Sequence, residues 1–140
     1  MNDLELIKLY IEAYNTFDIE MMMSTLHPDI AFQNISNGEI NAETHGMEAF
    51  RTLAEQSKGL FASRKQTITN VETNESQTRI DVTFEAVLAI DLPNGLKAGE
   101  LLQLQGNSEF TFRDGKIVSI VDRAWWVLHV KVLAGKSFKI

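Results

Sequence analysis

The sequence predicts an α+β domain in which helices pack on one face of a curved, antiparallel sheet. Two observations carry this. Apolar residues recur at helical spacing through much of the first 58 residues, and beyond Gly59 they alternate with period two. A third is the set of turn signals that cuts the second part into a meander: Asn74-Glu75-Ser76, Pro93-Asn94-Gly95 and Asp114-Gly115. Helices followed by a meander leave one sheet face to be covered by the helices.

The first helix is expected from Asp3 to Phe17, with Leu4, Ile7, Ile11 and Tyr14 as its apolar stripe and Asn2 or Asp3 as its cap. Asp18 can cap a second, short helix through Ile19, Met22, Met23 and Leu26, which Pro28 should end. From Asp29 to Ser36 the period becomes two, placing Ile30, Phe32 and Asn34 on one face. Asn37-Gly38 then turns the chain into a short return strand from Glu39 to Glu43. A third helix is expected from about Gly46 to Lys58, with Ala49, Phe50, Leu53 and Ala54 inward and Gly59 as its C-terminal cap. Strands follow at about Arg64–Thr73, Thr78–Leu92, Ala98–Arg113 and Lys116–Trp126, with Ile80 to Ile90 forming one apolar face. Residues 1–126 read as one domain. The apolar remainder, residues 127–140, should pack on that domain or on a partner.

A chain of 140 residues can bury a sizeable core as a single domain, and a hydrophobic fraction of 44% suits an ordinary globular protein. The net charge of -6 provides no basic excess to displace counterions, which argues against nucleic acid or anionic membrane as a partner. Absence of cysteine excludes disulfides and thiolate chemistry. The acidic start and the lack of a long apolar run make a cytoplasmic protein the expectation.

Asp122 stands out in this pattern. Strand parity places Val118, Ile120, Asp122, Ala124 and Trp126 on one otherwise apolar face. A carboxylate there costs several kcal/mol, on the order of the penalty for an unpaired buried charge, unless it is paired, hydrogen-bonded or protonated. It is therefore the candidate acid/base, with a pKa raised by an apolar pocket. The structural alternative is a carboxylate satisfied by a backbone donor, a tyrosine or an arginine such as Arg51.

The order of elements resembles the nuclear transport factor 2-like superfamily, in its SnoaL-like and ketosteroid-isomerase-like branch. The resemblance covers roughly residues 3 to 126. It rests on Tyr10-Ile11-Glu12-Ala13-Tyr14-Asn15-Thr16-Phe17-Asp18, Leu26-His27-Pro28-Asp29-Ile30-Ala31-Phe32, Gly46 with Phe50, and Phe110-Thr111-Phe112-Arg113-Asp114-Gly115-Lys116-Ile117-Val118. It implies a cone-shaped curved sheet packed against three N-terminal helices, with a small-molecule site inside the cone. It also implies that Tyr10 stands where the isomerases carry an oxyanion-holding tyrosine. Asn34 falls at their base position and Ser108 near their second acid. Asparagine cannot abstract a proton, so the isomerase mechanism is not expected as it stands. Asp122 matches an acid/base aspartate of the cyclase and epoxide-hydrolase members, without the hydrolases' arginine and second aspartate.

Tyr10, Tyr14, Asn34, Ser108 and Trp126 are accordingly the candidate substrate contacts around Asp122. The three histidines, His27, His45 and His129, are scattered without ligand spacing, so neither a metal nor another cofactor is expected. His27 reads as a loop residue, and His45, ahead of the third helix, as a capping or solvated residue or one at the pocket mouth. The expected function is acid–base chemistry on a small, apolar, carbonyl-bearing molecule, in a homodimer paired through the sheet. The alternative is a non-catalytic ligand-binding or assembly module of the same fold.

Overall fold

Asn2 opens the chain's first helix by a reciprocal cap: its side chain accepts from the Glu5 amide at 2.8 Å, and Glu5 accepts from the Asn2 amide at 3.1 Å. The computed structural model describes residues 1–93 and 95–126, without the side chains of Trp125 and Trp126. Expectations for Trp126 as a contact and for residues 127–140 lie outside the described residues.

Helix α1 (Asp3–Asn15) ends in a Schellman motif, with the Asp18 amide donating to the Ala13 carbonyl and the Phe17 amide to that of Tyr14. Phe17 takes the left-handed conformation this requires, at φ 59°. Helix α2 (Ile19–Ser24) follows directly, capped by Asp18, whose side chain accepts from the Met21 amide. It stops earlier than expected. Strand β1 (Leu26–Ser36) already includes Leu26, His27 and Pro28, because proline favours extended backbone before it and β6 holds the corner. The Ile117 amide donates to the Thr25 carbonyl, and Lys116 Nζ to that of Ser24. His27 is thus a strand residue rather than a loop one.

β2 (Glu39–His45) returns through a turn in which Asn37 and Gly38 both have positive φ. Helix α3 (Met47–Lys58) buries Phe50, Ala54 and Ser57, whereas Ala49 is exposed, contrary to its expected inward position. Its N-cap is Gly46, with no side-chain cap hydrogen bond, and His45 before it is exposed, the solvated alternative of its expected roles. The remaining strands are β3 (Phe61–Thr73), β4 (Thr78–Leu88), β5 (Leu101–Arg113) and β6 (Lys116–Trp126). β4 ends before Ile90, which is exposed instead of continuing the apolar face.

The six strands form one curved, unclosed sheet in the order β2-β1-β6-β5-β4-β3. Every neighbouring pair is antiparallel except β1 with β6, which is parallel. Helix α1 packs against β3 and α2, and α3 packs against β1 and β2. Between helices and sheet lies the core, where Ile7, Ile30, Ile80, Phe110, Ile117 and Ile120 are fully buried. The α+β cone predicted from the sequence is the architecture observed. Among the described residues no helix is long and apolar enough to cross a membrane.

Candidate functional site

One rung across three strands assembles the polar centre. Asp122 on β6 is registered with Ser108 on β5 and, through the parallel pairing, with Asn34 on β1. All three side chains lie on the face that the helices cover, as strand parity requires. Ser108 Oγ donates to Asp122 Oδ1 at 2.6 Å. Asn34 is fully buried, and its Nδ2 donates to Asn41 Oδ1 at 2.7 Å, while its own Oδ1 has no partner among the described residues.

Helix α1 lowers Tyr10 and Tyr14, one turn apart, onto this rung. Tyr10 packs edge-on against Phe110, with ring centroids 6.1 Å apart. Tyr14 is clamped from β3. Arg64 Nε donates to the Tyr14 carbonyl at 2.9 Å, and its guanidinium lies 3.7 Å above the Tyr14 ring centre. A two-pronged tie between the Asn15 side chain and the Gln66 backbone fixes the same corner. Among the described residues the buried Tyr14 hydroxyl has no hydrogen-bond partner.

Two clefts meet at Asp122 and Tyr14. The first also takes in Asn34, Ser108, Phe84 and Leu104; the second takes in Tyr10, Phe32, Phe50 and Arg64. Each holds a cavity of about 30 Å³, room for a water molecule or two rather than for a drug-sized ligand. Tyr10 and Asn34 therefore line different clefts, with Asp122 common to both.

Electrostatics separate the roles. Burial lifts the Asp122 carboxyl from 3.8 to about 6, against the Ser108 hydrogen bond, which acts to lower it. Burial also raises both tyrosine hydroxyls. At Tyr10 the Asp122 charge adds to the rise, whereas at Tyr14 the nearby Arg64 opposes it. Both tyrosines consequently stay protonated donors across the range in which Asp122 titrates. Such a set can move a proton at Asp122 and hold a developing oxyanion on a tyrosine hydroxyl. The Ser108 proton is engaged by Asp122, so that hydroxyl can offer a ligand only its lone pairs.

Arg51, the arginine considered as a partner of Asp122, is instead at the surface, donating to both Glu20 carboxylate oxygens at 2.6 and 2.9 Å. Arg64 is the pocket residue the sequence reading missed. The signal available was slight: the last turn of α1 carries no basic residue, which leaves its carbonyls to be met by a cation from elsewhere. Among the described residues no three His, Cys, Asp or Glu side chains are grouped to hold a metal.

A family model for the SnoaL-like domain matches residues 7–120. Solved structures repeat the architecture. A candidate polyketide cyclase from Xanthomonas campestris pv. campestris is 21% identical, covering 86% of this chain and 87% of its own, at a TM-score of 0.72. One from Pseudomonas putida KT2440 is 20% identical over 93% of this chain and 95% of its own, at 0.71. IdmH, a candidate polyketide cyclase from Streptomyces antibioticus, is 14% identical over 89% and 92%, at 0.73. At these identities the likeness is one of fold. No match was found among the curated proteins.

Proposed function

The chain belongs to the SnoaL-like domain family, and on that premise we propose that it performs acid–base chemistry on a small, apolar, carbonyl-bearing molecule. The observation that supports this reading best is Asp122 itself: a half-buried carboxyl titrating at about 6, shared by two clefts, with one hydrogen bond from Ser108. A carboxylate tuned to that range can take a proton from a carbon next to a carbonyl and return it elsewhere. Tyr14, whose hydroxyl is buried and unpartnered among the described residues, would hold the carbonyl oxygen as charge develops there; Tyr10 would support it and Asn34 would orient the substrate. The isomerase-type or cyclase-type outcome depends on where the proton is returned. The proposal keeps a homodimer paired through the sheet and a cytoplasmic setting; sedimentation giving a monomer would remove the dimer.

A second reading has its own support. Each cavity is far below the roughly 300 Å³ of typical ligand pockets. That favours a non-catalytic binding or assembly module in which Asp122 merely accepts from Ser108. Proton exchange separates the two. Small cyclic ketones incubated with the protein in deuterated water are expected to lose α-protons faster than in buffer, with the rate rising through about pH 6 as Asp122 ionises. In Asp122→Asn that exchange should vanish while the fold persists. Exchange retained in this variant sinks the catalytic role, and ketones that bind without exchanging establish the second reading.

A further inference from the structure

The Tyr14 hydroxyl and Asn34 Oδ1 are buried polar groups whose hydrogen-bonding capacity no described residue meets. Tyr14 is 5% exposed and Asn34 0%, so bulk solvent does not meet it either. Leaving such groups unmatched is unfavourable. Both residues line the first cleft, and their chemistry is complementary: a hydroxyl can donate, whereas an amide oxygen only accepts. Among the described residues no hydrogen bond joins them, so serving both takes a bridging group. The other unmatched buried oxygens belong elsewhere. Thr44 lines neither cleft, and Asn107, next to Ser108 on β5, points to the opposite sheet face by parity.

The cavity in this cleft measures about 30 Å³, above the roughly 10–15 Å³ that a water needs and too small for a ring. Val82, Phe84 and Leu104 wall it with apolar surface. Asp122 also borders it, and a carboxylate keeps lone pairs beyond the one that Ser108 engages. We propose that the first cleft is a site for one internal water molecule, which accepts from the Tyr14 hydroxyl and donates to Asn34 Oδ1 and the Asp122 carboxylate. The water then has three partners, the usual number for a buried one, and both orphaned groups are met. Asn34 becomes a positioning residue for it: the 2.7 Å bond from Nδ2 to Asn41 fixes the direction of Oδ1. The bridge couples Tyr14 on α1 to the acid on β6. It goes beyond the acid–base reading and stands whether or not a substrate is turned over; a substrate carbonyl that reached Tyr14 would displace the water.

A high-resolution crystal structure of the ligand-free protein tests it directly. Ordered density for one water is expected within about 2.5–3.0 Å of Tyr14 Oη, Asn34 Oδ1 and an Asp122 oxygen. No ordered water there, or one that misses any of the three, overturns the proposal. A stability cycle reads the same bridge in solution, by urea unfolding of Tyr14→Phe, Asn34→Leu and the double variant. Once one end of the bridge is gone, removing the other should do less harm. The double variant's folding constant is therefore expected to exceed the value for independent effects by about tenfold, within the range for residues that share a network. Asn34→Leu also breaks the bond to Asn41, but that loss occurs with and without the Tyr14 hydroxyl and cancels in the cycle. Additive effects overturn the proposal even where a water is seen, because a bridging molecule couples the groups it joins. Should Asn34→Leu not fold, the crystal structure of Tyr14→Phe decides: the water is expected to be lost or displaced, and an unmoved water rejects the bridge. Ketone exchange tests the acid–base reading separately, and its failure leaves the water site standing.

Discussion

Replacing Asp122 with asparagine is expected to make the folded protein more stable at neutral pH while removing its proton exchange. Burial holds the carboxyl at about 6 in the folded state, against 3.8 for an unperturbed one. Between those values the unfolded chain has released a proton that the folded protein still binds. Stability therefore falls as pH rises through this window. Below it both states are protonated, and above it the loss is complete, at about 3 kcal/mol from 1.36 kcal/mol per unit. Asparagine cannot ionise, and its Oδ1 can accept from Ser108 as the carboxylate does. Urea unfolding at several pH values should show the variant level with the wild-type protein near pH 4 and gaining on it by about 3 kcal/mol by pH 7.5. A variant less stable at pH 7.5 would mean that the charge is a structural acceptor the fold depends on.

Opposite movement of stability and chemistry at one position separates the two readings of the site. A structural carboxylate is retained because removing it weakens the fold. A catalytic one can weaken the fold and persist because its raised pKa performs work. Ser108 tempers the penalty with one hydrogen bond and leaves most of it in place. Tyr14 shows the same pattern in neutral form, with a buried hydroxyl left without a partner among the described residues.

Parity made the centre of this site readable from the chain. With turns at Asn37-Gly38 and Asp114-Gly115 fixing where strands begin, period two alone places Asn34, Ser108 and Asp122 on the covered face. What parity cannot give is register between strands far apart in sequence. The parallel pairing of β1 with β6 brings Asn34 beside Asp122, and nothing local to either segment encodes it. Arg64 was hidden for the same reason, since its partners are the end of α1 and Ser57. The errors at element ends are also tertiary. Lys116 and Ile117 of β6 fix the corner at Ser24 and Thr25, after which β1 starts at Leu26, and the apolar alternation at Ile90 runs past the end of β4. Propensity sets the type of each segment, and packing decides where it stops.

Gly106→Ala is expected to destabilise the protein by about 3 kcal/mol, at the upper end of the usual overpacking range. Gly106 pairs with Ala124 across the β5–β6 ladder, two residues along each strand from the Ser108–Asp122 pair. It does not have the positive φ that would itself demand glycine. The constraint is proximity: a Cβ at this position would lie 2.2 Å from the Arg123 carbonyl oxygen and 3.2 Å from the Ala124 Cα. Both neighbours are backbone, so no rotamer change relieves the overlap and the two strands must part. Alanine also restricts the unfolded chain, a gain of about 0.4–1 kcal/mol that the clash outweighs. The displacement should reach the site. In the folded fraction of the variant, amide resonances of Ser108 and Asp122 should shift, and the rise of ketone exchange through about pH 6 should move as the Ser108 hydrogen bond lengthens. A wild-type urea midpoint in Gly106→Ala would show that the ladder can widen freely there, and the short Ser108–Asp122 contact would then owe nothing to the close approach at Gly106.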